Sequence, residues 1–299
     1  MGENKAALTD KEQRLMKKYQ ERIMKGVFFA AASVSVLAVI LICLFLLING
    51  LPVMGKIGVF DFLLGRTWRP NNVPPAYGIF PMILGSIYVT VGAVAIGVPL
   101  GLLTAVFMAR YCSGTWYRFL KPAINLLAGI PSVVYGFFGL VVIVPLIRDV
   151  FGGTGSSMLA AAILLGIMIL PTITSVSEAV LRAVPQNYYE GGLALGASHE
   201  RTIFYILLPA AKSGIMAAVV LGIGRAIGET MAVIMVAGNQ ARMPAGLRKG
   251  VRTLTANIVI EMGYAAELHR GALIATAVVL FFFILLINSL LSWLKRRAV

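Results

Sequence analysis

Residues 81–109 read PMILGSIYVTVGAVAIGVPLGLLTAVFMA, a run without a formal charge. A helix rises about 1.5 Å per residue, and roughly 20 apolar residues cross the hydrocarbon of a bilayer. The run is therefore long enough to span a membrane. Glycine recurs along it at Gly85, Gly92, Gly97 and Gly101. Small residues let membrane helices approach closely, so the stretch predicts a span packed among others rather than an isolated anchor.

Five further runs of the same kind lie on either side: Val27–Asn49, Ala123–Ile147, Met158–Val176, Ser213–Ala237 and Leu273–Leu294. Composition agrees with them. Hydrophobic residues make up 59% and charged residues 13% of the 299 positions, whereas a soluble domain carries about 25% charged residues. The expected fold is all-α, a polytopic membrane bundle of six transmembrane helices. Residues 1–26 form a charged segment ahead of it, and residues 27–299 form the membrane domain. Thr9-Asp10-Lys11-Glu12 fits a capping box opening a short amphipathic helix through Lys25. The apolar run after Lys25 is too long for a signal peptide.

The net charge of +14 comes from 26 basic and 12 acidic residues. The basic residues sit mainly in short loops and tails, a pattern of membrane topology and lipid headgroups rather than of nucleic acid. With the N-terminus inside, the inner side takes seven from Lys5 to Lys25, then Arg110, Arg118, Lys121, Arg182, Arg201, Lys212 and Lys295–Arg297. The outer side takes Lys56, Arg66, Arg69, Arg148, Arg242, Arg248, Lys249, Arg252 and Arg270. The excess predicts both termini in the cytoplasm. On the outer side, Leu51–Ile79 reads as an irregular loop. Thr253–Glu267 reads as a short helix lying at, or dipping into, the membrane surface.

Cys43 and Cys112 have no metal or disulfide spacing, and His199 and His269 have no second ligand nearby, so no metal site is expected. Gly152-Gly-Thr-Gly-Ser lacks the lysine of a phosphate-binding loop, so any use of ATP falls to another chain. Arg225 and Glu229 stand out in an otherwise apolar span, where a charge costs at least about 2.5 kcal/mol. Four residues apart on a helix, they are expected to pair. An arginine fork also matches the oxygens of an oxyanion.

The connection between the fourth and fifth spans carries the most information. It runs Glu178-Ala-Val-Leu-Arg182-Ala-Val-Pro185, then Tyr189-Glu190-Gly191-Gly192-Leu-Ala-Leu195-Gly196, and reaches Ile206-Leu-Leu208-Pro209. Pro185 suits a helix start and Gly196 its end. Glu190-Gly-Gly, Gly196 and Ile206-x-Leu208-Pro209 resemble the EAA loop of permeases in binding-protein-dependent ABC importers, with Gly191 and Gly192 in place of the usual alanines. The resemblance implies a type I importer permease whose loop, about residues 182–208, is the coupling helix that docks on an ATPase. Glu190, Gly191, Gly192, Gly196, Ile206, Leu208 and Pro209 would make that contact.

Three other stretches are similar to phosphate permeases, the last of them to the PstC type. They are Ala128-Gly-Ile-Pro131-Ser132-Val-Val-Tyr135-Gly136-Phe-Phe-Gly139, then Leu170-Pro171-Thr172-Ile-Thr174, and Gly224-Arg225-Ala-Ile-Gly228-Glu229-Thr230-Met231-Ala232-Val233. This likeness implies a substrate path through Ser132, Tyr135, Arg225, Glu229 and Thr230. It also implies a PstA-type permease partner, two PstB-type ATPase subunits that use ATP and magnesium, and an extracytoplasmic phosphate-binding protein. The chain itself would carry no cofactor and catalyse no reaction, and its place would be a prokaryotic inner membrane. Sulfate, molybdate or tungstate stay open as substrates, as does a membrane sensor or scaffold that transports nothing.

Overall fold

The computed structural model describes residues 2–297, with side chains for residues 19–290, 292 and 293. Six helical stretches are long and apolar enough to cross a membrane: Tyr19–Ile57, Phe80–Tyr111, Ser132–Phe151, Met158–Ala183, His199–Gly228 and Glu267–Leu290. The expected number holds, but the boundaries shift. The first helix, α1, runs unbroken over Gly2–Ile57. No separate amphipathic helix ends at Lys25, and the Thr9 cap falls outside the described side chains. Residues up to Asn49 form one compact unit and those from Gly50 onward another.

In the larger unit α7 (Met158–Ala183) is the central helix, flanked by α3 (Phe80–Val106) and α10 (Leu208–Gly228). Glycine makes both contacts close. A methyl group at Gly92 would stand 2.7 Å from Ala162, one at Gly97 would stand 2.8 Å from the Gly166 carbonyl, and one at Gly101 would press on Ile173. On the other side, Gly214 lies against Val180 and Gly222 against Ile173. In lipid no hydrophobic force drives helices together, so this close van der Waals fit holds the bundle. Pro171 lies inside α7 without ending it. The freed carbonyl is tolerable where neighbouring helices enclose the backbone.

The third span differs from the Ala123–Ile147 expectation. Helix α4 (Gly114–Gly129) ends at Ile130, which is extended at φ −66°, ψ 129°. Pro131 then opens α5 (Ser132–Phe138), which continues through a π-helical turn at Gly139–Ile143 into α6 (Val144–Phe151). A residue before proline is biased away from helical geometry, and that splits one continuous apolar run into two helices.

The fifth span also ends early. It stops at Gly228, Glu229 is extended at φ −70°, ψ 130°, and the short α11 (Met231–Val236) starts anew. Helix α11 packs on α5, where Gly136 meets Ala232 and Met235, and Gly139 meets Leu164 and Val236.

At the end of the bundle away from the α7–α10 connection, Leu51–Ile79 is more ordered than expected. It contains α2 (Val59–Leu64) and an antiparallel hairpin of β1 (Trp68–Arg69) with β2 (Ala76–Tyr77). Helix α12 (Leu254–Met262) is built into the bundle along one face. Thr253–Asn257 are all buried, and α12 packs on α3, α11 and α13 (Glu267–Arg297).

Candidate functional site

Arg225 sits half-buried in the last turn of α10. The expected ion pair with Glu229 does not form, because the chain leaves the helix at Glu229 and the four-residue register that would align the two is lost. Arg225 Nη1 instead donates to Thr172 Oγ1 on α7 at 3.0 Å. Glu229 turns to the new helix, its Oε1 accepting from the Ala232 N–H at 3.2 Å, while its carbonyl accepts from Thr255 Oγ1 at 3.2 Å. Among the described residues no carboxylate lies within ion-pair distance of Arg225. A guanidinium is thus held in a membrane span by a neutral hydroxyl.

Arg225 faces a cavity of about 710 Å³. Thr172 on α7, Gly224 and Arg225 on α10, and Asn288 and Ser292 on α13 line it, with Leu221 as part of its apolar wall. A planar fork of donors is the group best matched to an oxyanion. Tyr135 is buried, donates to the Leu127 carbonyl at 2.8 Å, and lies within electrostatic range of Arg225. Ser132 and Thr230 stand just after the two breaks, at Pro131 and Glu229, and do not line this cavity. Of the five path residues expected from sequence, Arg225 alone lines the cavity, and Tyr135, Glu229, Ser132 and Thr230 do not.

The loop over residues 182–208 forms as its residues dictate. After Val184 leaves α7, Pro185 opens α8 (Gln186–Ala194). Gly196 N donates to the Leu193 carbonyl and Ala197 N to the Gly192 carbonyl, with Gly196 at φ +82°. This is a Schellman stop, which glycine enters without steric cost. Helix α9 (His199–Thr202) follows, with Ser198 Oγ accepting from the Arg201 N–H, and a π-helical turn over Ile203–Leu207 leads into α10.

Gly192 is buried because a methyl group there would come 2.8 Å from Thr202 Cγ2 and 2.9 Å from Ile206. Ile206 is half-buried against α8 and Leu208 half-buried against the cluster of Ala105, Leu181 and Leu207, whereas Glu190, Gly191 and Pro209 are exposed. His199 is fixed by Tyr189, whose hydroxyl is 2.8 Å from Nδ1, and by the edge of Tyr111.

Two polar clusters were not singled out by sequence pattern. At the end of the bundle that carries the 182–208 loop, Glu178 is buried and receives Lys121 Nζ at 2.6 Å, the Tyr117 hydroxyl at 3.0 Å, and Arg182. Arg182 also donates to the Met108 carbonyl, and Arg110 to the Leu181 carbonyl, both at 2.8 Å. The root of the 182–208 loop is thereby tied to α4 and to the π-helical turn Phe107–Tyr111 that continues α3. At the opposite end, buried Glu261 receives Arg252, Trp68 Nε1 at 2.8 Å and His269 Nε2 at 2.8 Å. Burial and the neighbouring Glu261 raise the Tyr264 hydroxyl above its usual range. Each cluster combines near neighbours, Glu178 with Arg182 and Glu261 with Arg252 and His269, with partners more than 50 positions away, Tyr117 and Lys121 in one and Trp68 in the other, which no local spacing could announce.

Six spans, a cavity with a cation in its wall and a stiff helical loop between the fourth and fifth spans define a multi-pass transport permease. Residues 97–299 match the family described as binding-protein-dependent transport system inner membrane component, and the chain belongs to that family. A probable ABC transporter permease protein, YqgH, from Bacillus subtilis (strain 168) is 41% identical over 272 residues, covering 88% of each chain. A phosphate transport system permease protein, PstC, from Mesorhizobium japonicum is 34% identical over 259 residues, covering 80% of this chain and 79% of that one. Among solved structures, a bacterial alginate ABC transporter superposes with a TM-score of 0.63 at 17% identity, covering 93% of this chain and 96% of that one. The MetNI methionine ABC transporter superposes at 0.55 with 22% identity, covering 74% and 94%. At these identities the superpositions speak for the fold alone.

Proposed function

We propose that this chain is the PstC-type permease subunit of an ATP-driven importer of inorganic phosphate, with both termini and the 182–208 loop in the cytoplasm. The observation that carries the reading is Arg225. It is a fixed cation inside a span, without a carboxylate partner among the described residues, at the wall of a cavity large enough for a tetrahedral oxyanion. A charge in that position is costly unless an anion uses it. The identity to permeases named for phosphate transport supports the choice of anion.

In this reading the chain forms the path with a PstA-type permease. Two PstB-type ATPase subunits bind ATP and magnesium, and α8 passes their closure to the bundle. An extracytoplasmic phosphate-binding protein delivers the substrate at the Trp68 end.

Deletion of the gene, complemented on a plasmid, tests this in cells. Uptake of radiolabelled phosphate at micromolar concentration should fall on deletion, return on complementation, and resist a hundredfold excess of sulfate, molybdate or tungstate. Uptake that one of these anions suppresses would assign the path to that anion instead. Unchanged uptake of all four would favour the sensor or scaffold.

A further inference from the structure

Helix α13 is almost wholly apolar from Phe281 to Leu291, and Asn288 and Ser289 interrupt it, followed by Ser292. Asn288 and Ser292, four residues apart, face the Arg225 cavity, and Ser289 does not. Neither of the two side chains has a hydrogen-bond partner among the described residues. An amide left unpaired in a membrane helix is unfavourable, and polar residues there normally satisfy one another or serve a path.

The cavity also has a direction. Along α10 it extends from Arg225 back to Ala217, two turns nearer the coupling loop. Helix α13 is the next span and so runs back toward that same end. Ser292 therefore lies a turn beyond Asn288 on the way from Arg225 to the coupling side.

The chemistry of these walls is selective. Phosphate near neutral pH keeps one or two protons, so its site needs acceptors as well as donors. Arginine has donors only, an asparagine amide has both, and a hydroxyl serves as either. Acceptors supplied by neutral groups do not repel the anion as a carboxylate would.

We propose that Asn288 and Ser292 complete, with Arg225 and Thr172, a cradle for a partly protonated tetrahedral oxyanion. In it Arg225 provides the charge, Thr172 orients the guanidinium, and the Asn288 amide donates through Nδ2 while its Oδ1 accepts a hydrogen bond from the oxyanion's hydroxyl. Ser292 receives the anion as it leaves toward the coupling side. The assignment rests on the reading of the chain as a phosphate permease.

The test uses the purified complex in proteoliposomes with phosphate-loaded binding protein, and measures phosphate imported per ATP hydrolysed for each assembled complex. Leucine suits a lipid-embedded helix at least as well as asparagine, so Asn288→Leu should assemble at parental yield. Its phosphate-to-ATP ratio should nevertheless fall at least about tenfold, the size expected when hydrogen bonds to a charged partner are lost. Asn288→Gln should keep more transport than Asn288→Leu, and Asn288→Asp less, because its carboxylate would capture Arg225. Parental transport by the double variant Asn288→Leu, Ser292→Ala would overturn the cradle. If the parent complex imports sulfate rather than phosphate, the phosphate reading fails by itself. The same variants assayed with sulfate then still decide whether these two residues touch the anion.

Discussion

Arg225 shows most directly how a single residue ties fold to function. The sequence marks it as a costly charge in an apolar run, and that reading survives. Its partner was misread, because Arg225 and Glu229 are neighbours only if the helix continues, and the backbone turns extended at Glu229. With no buried carboxylate to orphan, Arg225→Leu should assemble at near-parental yield, in contrast to the roughly 3–5 kcal/mol cost of breaking a buried pair. Transport should drop by at least tenfold, and Arg225→Lys should recover little of it, since lysine keeps the charge but loses the fork. Complex yield and phosphate uptake measured on both variants check this. Thr172 could not be recognised from sequence, since a threonine beside Pro171 is an ordinary residue until a helix 53 positions away brings a guanidinium to it.

The 182–208 loop, proposed to couple to the ATPase, was legible as an element because its turn chemistry is local. Pro185 fixes a start, Gly196 fixes a stop, and the structure places both where the residues ask. The glycines between them differ in their demands. Gly191 has open space around it, so Gly191→Ala should leave ATPase docking and transport unchanged. Gly192→Val should push α8 off Thr202 and Ile206, and Gly196→Val should add about 1–2 kcal/mol of left-handed strain. Both should weaken co-purification of the ATPase or uncouple hydrolysis from uptake, while the spans still insert. A pull-down with ATPase assay on the three variants separates these outcomes.

Helix α12 was less legible. Its helical spacing was visible, but Thr253–Asn257 are buried, and Glu261 meets Trp68 from a segment 193 positions away as well as the nearby Arg252 and His269. Glu261→Leu leaves Arg252 buried without its counter-charge and should destabilise the fold by about 3–5 kcal/mol, read as a lowered Tm in detergent.

For the whole molecule, six spans followed from hydropathy, whereas the breaks at Ile130 and Glu229 did not. Pro131 offers a sequence reason for the first break, whereas nothing in Gly228-Glu229-Thr230 by itself says whether the helix continues, and the backbone geometry there decides it. The close fit of α3 on α7 was foreshadowed by glycine recurrence. Gly97→Leu should prevent their approach, and the complex should then fail to assemble on size-exclusion chromatography. Orientation rests on the excess of basic residues on one side. With Cys43 and Cys112 replaced, a cysteine at Asn72 should react with an impermeant reagent on intact cells and one at Ser198 should not.

The central claim is that this bundle carries phosphate inward past Arg225 at the expense of ATP. The most direct measurement is accumulation of radiolabelled phosphate in proteoliposomes that hold the purified complex, compared with and without ATP. The account predicts accumulation above the equilibrium level that requires ATP and the binding protein, and that disappears with Arg225→Leu in an intact complex. Equal accumulation by the parent and Arg225→Leu complexes, or none by a fully assembled parent, would contradict it.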